Sequence, residues 1–84
     1  MFEWVHRENH GRWIRYQDPH AGVLLFSIEG ESLIYHSWGK RWVFQRKYRN
    51  GQQTVFVFAH NESLREHVLP ADFEENVFAF AASA

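Results

Sequence analysis

Apolar and polar residues alternate through most of positions 1–60, and Gly, Pro and Asn break the alternation at short intervals. Runs rich in Val, Ile, Phe, Tyr and Trp predict six short strands, near 2–7, 12–17, 23–29, 32–38, 41–49 and 52–60. The breaks fall at Asn9-His10-Gly11, Asp18-Pro19-His20-Ala21-Gly22, Gly30-Glu31, Gly39-Lys40 and Asn50-Gly51. Asn-Gly supports the positive φ angles of a type I′ hairpin turn. Gly30-Glu31 and Gly39-Lys40 place Gly first, as a type II′ turn prefers.

The pattern changes after residue 60. Ser63-Leu64-Arg65-Glu66 has the form of a capping box, which predicts a short helix ended by Pro70. Asp72-Phe73-Glu74-Glu75 opens a second helix, with acids where the helix dipole favours them. Phe73, Val77, Phe80 and Ala81 would share one face of it; the rival reading makes Val77 to Phe80 a strand. The expected fold is mainly β (α+β): a small antiparallel six-stranded meander or partly open barrel with one or two short C-terminal helices. Residues 1–84 form a single domain, with the meander over 1–60 and the helical segment over 61–84.

A two-residue hairpin pairs the residues flanking its loop, and paired residues share a face. Glu29 then pairs with Ser32 and Phe26 with Tyr35. Trp38 pairs with Arg41, Tyr35 with Phe44 and His36 with Val43. Arg49 pairs with Gln52, Phe44 with Val57 and Val43 with Phe58. One face, the expected core, carries Leu24, Phe26, Ile28, Leu33, Tyr35, Trp42, Phe44, Tyr48, Val55 and Val57. The other is mixed. It carries Val23, Leu25, Ile34, His36, Trp38, Arg41, Val43, Gln45, Lys47, Thr54, Phe56, Phe58 and His60. So many rings should not face water, so the C-terminal helix, a curl of the first two strands, or a partner is expected to cover them.

Composition narrows the classes. The chain has 84 residues, no Cys and a net charge of −1; Phe, Trp and Tyr make up 18% of it. Disulfides and thiolate chemistry are excluded. Positions 1–10 lack the apolar stretch of a signal peptide, and no apolar run reaches bilayer length, so a cytoplasmic location is expected. The near-zero charge hides a division: residues 1–50 hold eight Lys/Arg against five Asp/Glu, and residues 51–84 hold one against five.

Candidate chemistry centres on Lys40, Arg41, Arg46, Lys47 and Arg49, interleaved with Trp38, Trp42, Phe44 and Tyr48. Cations beside rings are what single-strand binders use, although a pI near 6.6 is low for one. The competing reading is that these cations flank an aromatic core with their heads in water. The six histidines, His6, His10, His20, His36, His60 and His67, lack zinc-site spacing, and no metal or cofactor is expected. No nucleophile elbow, phosphate loop or paired-carboxylate motif occurs. Around Gly39, Trp38, Lys40 and Arg41 combine a rigid apolar plate with forked and point charges, the residue types that dominate binding hot spots.

No motif is specific enough to name a family. The expected function is a non-catalytic binding module, a regulator, inhibitor or adaptor acting through protein–protein contacts on an aromatic and basic sheet face. Its expected binding residues are Trp38, Lys40, Arg41, Lys47, Arg49, Phe56, Phe58, His36 and His60, and self-association through the mixed face is part of that expectation. The runner-up is a single-stranded nucleic-acid binder using hairpin 38–49, and the third reading is a small His/Arg hydrolase or nuclease. No membrane partner is expected.

Overall fold

A computed structural model describes residues 1–7 and 11–83. The expected turn at Asn9-His10, and His10 itself, lie outside them. Seven strands run in chain order through one antiparallel sheet. They are β1 (Phe2–Arg7), β2 (Gly11–Asp18), β3 (Gly22–Glu29), β4 (Ser32–Ser37), β5 (Lys40–Asn50), β6 (Gln53–His60) and β7 (Ser63–Leu69). One helix, α1 (Phe73–Ala82), follows. Among the described residues no helix is long and apolar enough to cross a membrane.

The seventh strand corrects the sequence reading. Residues 63–69 pair with β6, from His60 opposite Ser63 to Thr54 opposite Leu69. The capping-box pattern is a local signal, and a helix this short is marginal without tertiary packing. Asn61 at φ 54° instead starts a two-residue turn, and an unbroken ladder with β6 takes the segment. The second expected helix forms where its apolar stripe indicated. Phe73 and Val77 are buried, with Glu74 and Glu75 in the first turn.

The sheet is open, because β1 and β7 do not pair, yet it is strongly rolled. Flat neighbours at about 4.8 Å would hold β3 and β6 roughly 14 Å apart. Instead the rings of Phe26 and Phe58 approach to 6.1 Å, and those of Tyr35 and His67 to 4.7 Å. α1 lies in the concave side. Phe73 packs at 5.0 Å on both Tyr16 and Phe26, and Phe80 lies 5.2 Å from Trp4. The core is therefore concave-side: Ile14, Tyr16, Leu24, Phe26, Leu33, Tyr35, Trp42, Phe56, Phe58 and Leu69 close around Phe73 and Val77.

Three register features depart from the expected pairing, and the last of them redraws the faces. The β4–β5 loop is Trp38-Gly39, with φ 57° and 70°, so Ser37 pairs with Lys40 and Tyr35 with Trp42 rather than Phe44. The β5–β6 loop is Gly51-Gln52, and Asn50 pairs with Gln53. More consequential is the bulge at Gln45. Phe44 stands opposite Phe58, but Arg46 stands opposite Val57. One extra residue on one strand reverses the side to which every later residue of that strand points. Phe56 and Phe58, expected on the mixed face, thus lie fully buried in the core. Lys47 turns to the concave side with them, while Tyr48, Val55 and Val57, expected on the same face as Phe26 and Tyr35, turn to the convex side, where Val55 and Val57 are still buried. The alternation before the bulge is as expected: Leu24, Phe26, Leu33, Tyr35 and Trp42 are in the core.

Candidate functional site

The convex face carries a groove of about 590 Å³ between β2, β3, β4 and the β4–β5 turn. Its floor is ordered by side-chain pairs that alternation brings to one side. Trp13 on β2 and His36 on β4 stack at 3.7 Å between ring centroids, with planes 8° apart. Ser27 on β3 shares a 2.7 Å hydrogen bond with His36 Nε2, which holds the imidazole flat under the indole. At the next position along, Arg41 on β5 grips Glu29 on β3 with two guanidinium nitrogens, one of them at 3.1 Å. That hydrogen bonding lowers the Glu29 pKa and raises that of Arg41.

Trp38 lines the groove at its rim and is 80% exposed. Its backbone is left-handed at φ 57°. The first position of a type I′ turn favours Asn, Asp or Gly, and a bulky side chain there is strained. Neither packing nor turn chemistry asks for Trp at this position. Lys40 and Arg41 line the same rim, as does Arg12. Glu29 is the one acid among the lining residues and is bound to Arg41, and the Arg12 guanidinium lies over the Trp4 ring at 3.9 Å, so the excess of positive charge at the rim rests on Lys40.

The structure brings together only part of the expected site. Trp38, Lys40, Arg41 and His36 line the groove. Lys47 instead bridges to Glu74 on α1 at 2.9 Å and donates to the Ala71 carbonyl at 2.7 Å. Arg49 donates to the Gly51 carbonyl. His60 lies beside Trp42, and its Nδ1–H donates to the Arg41 carbonyl at 3.0 Å. Phe56 and Phe58 belong to the core. Arg41, Lys47 and Arg49, expected together on the mixed face with Arg46 on the other, are therefore parted by the bulge: Lys47 and Arg49 point to the opposite side of the sheet from Arg41.

Trp13 was missed by sequence reasoning, although its alternation with Ile14 and Tyr16 in β2 marks it as the outward ring of that strand. Ser27 and His36 stand at the separation a nucleophile and base require. Ser27, however, is 8% exposed and mid-strand, which leaves its oxygen little room to meet a substrate. Among the described residues no group of three or more His, Asp or Glu is placed to hold a metal. Comparison with family models, curated proteins and solved structures finds no match, so the site is read from its own residues.

Proposed function

We propose that this chain is a non-catalytic binding module, a regulator, inhibitor or adaptor that takes an acidic segment of a protein partner into the convex groove. The observation that carries the reading is Trp38, held 80% exposed on left-handed backbone at the groove rim. Strain kept at an exposed anchor is a mark of function rather than of folding. A Trp flanked by Lys40 and Arg41 offers apolar area and charge with little entropy to lose. The excess of positive charge at the groove rim favours a segment bearing Asp or Glu next to an apolar side chain. The division of the basic set supports a peptide over a nucleic-acid strand, because a strand needs cations along its whole path.

Panning a random peptide library against the full chain tests this. The expected result is enrichment of Asp and Glu beside an apolar residue, with selected peptides shifting the NMR signals of Trp38, Lys40 and Arg41. Binders that map elsewhere, or that a random single-stranded oligonucleotide displaces, would overturn it.

A further inference from the structure

The outer edge of β7 pairs with no other strand among the described residues. Natural sheets blunt such edges with Pro, bulges or outward charges. β7 has neither Pro nor a bulge: its ladder to β6 runs unbroken over all seven residues. Its charged residues are engaged within the chain. Arg65 lies over the Trp42 ring at 5.1 Å, and Glu66 accepts a 3.0 Å hydrogen bond from the Tyr48 hydroxyl. What remains on the convex side of the strand is apolar: Leu64 is 64% exposed and Val68 46%.

These two residues stand symmetrically about Glu66. We infer that β7 is the seam of a twofold dimer, in which a second copy of this chain adds its own β7 antiparallel to this one, with the axis at Glu66. In a continuous sheet, paired residues must share a face, so the axis passes through a residue. Centred on Glu66, the register sets Leu64 against the partner subunit's Val68, twice over. It also sets Arg65 against the partner subunit's His67. Centred on Arg65, it would oppose two arginines and set Leu64 against a carboxylate. The chosen register carries one unfavourable contact, Glu66 against the partner subunit's Glu66. Like charges directly opposite weaken a strand pair, so this contact limits the affinity. The surface is separate from the Trp38 groove, and the inference does not depend on the proposed ligand there.

Sedimentation of the full chain over a concentration series reads this directly. The expected behaviour is a monomer–dimer equilibrium. Leu64→Lys, at an exposed position, should leave the chain folded by circular dichroism and monomeric throughout. Glu66→Gln should tighten the dimer about fivefold by removing the like-charge contact. A wild-type chain and a Glu66→Gln chain that both stay monomeric would overturn the inference. So would a dimer indifferent to Leu64→Lys, or growth past the dimer through β1.

Discussion

His36 lies flat against Trp13, with ring centroids 3.7 Å apart and planes 8° from parallel. The two residues belong to strands that are not neighbours, β2 and β4, and Ser27 on the strand between them fixes the imidazole. The stack therefore reports on the curvature of three strands together. His36→Ala should destabilise the chain by about 1–2 kcal/mol, from the lost ring pair and the stranded Ser27 hydroxyl. Ser27→Ala should cost about 1 kcal/mol. Both are read as shifts of the urea midpoint at constant slope, and Trp13 emission should move in the first.

The bulge at Gln45 decides which side of β6 faces the helix. Gln45 is exposed, so Gln45→Ala should change stability by less than about 0.5 kcal/mol. Deleting it should be far worse. The shortened strand must either expose Phe56 and Phe58 or break its pairing. The expected outcome is loss of cooperative unfolding and of the near-ultraviolet circular dichroism of the packed rings. A deletion variant that unfolds cooperatively near the wild-type midpoint would refute the role given to this residue.

His67 faces the concave side of β7 and packs edge-on against Tyr35 at 4.7 Å. Burial holds its pKa below the usual 6.5, with Arg65 acting in the same direction and Asp18 opposing. Its Nε2 has no hydrogen-bond partner among the described residues. In the unfolded chain the group binds a proton near pH 6.5, and in the folded chain only at lower pH. Its contribution to stability is complete above 6.5 and declines as pH falls from there towards the folded pKa. His67→Leu should flatten the dependence of unfolding free energy on pH over that interval, as followed by denaturant titration at several pH values.

α1 is held to the sheet mainly by Phe73, which touches Phe2, Tyr16, Phe26 and Phe56. Phe73→Ala should cost about 3–5 kcal/mol. For a domain of this size that is a large share of the roughly 4–13 kcal/mol available, so the variant should be substantially unfolded. Lys47→Ala, which removes the bridge to Glu74 at an exposed site, should cost under about 1 kcal/mol. Thermal unfolding of the two variants should separate them clearly.

Much of this architecture was legible in the chain. Alternation located the first six strands, and the Phe73, Val77, Phe80 stripe located the helix. Gly30-Glu31 gave the pairing of Glu29 with Ser32 as observed. Three features were hidden, each for a physical reason. The bulge falls at a Gln, with no glycine to mark it. The strand at 63–69 carries a helix-start signal that long-range pairing with β6 overrides. Two turns lie one position from where the sequence puts them: Trp is a poor residue for positive φ, so Gly39 reads as the first loop residue, and Asn50 stays in its strand while Gly51 takes the positive φ. The candidate site suffered most from the second half of β5, where the bulge sends Lys47 to the helix side. Trp38, Lys40 and Arg41 precede the bulge and keep the common setting their sequence proximity suggested.

We propose that Trp38 is kept for binding and not for folding. Trp38→Asn separates the two. Asn adopts left-handed backbone more readily, so the variant should be as stable as wild type or up to about 1 kcal/mol more stable. The decisive measurement is the affinity of the library-selected acidic peptides for the wild type and for this variant, with unfolding free energies taken on the same samples. Affinity should fall at least about tenfold while stability holds or rises. Unchanged affinity, or a loss of stability on replacing Trp38, would contradict the account.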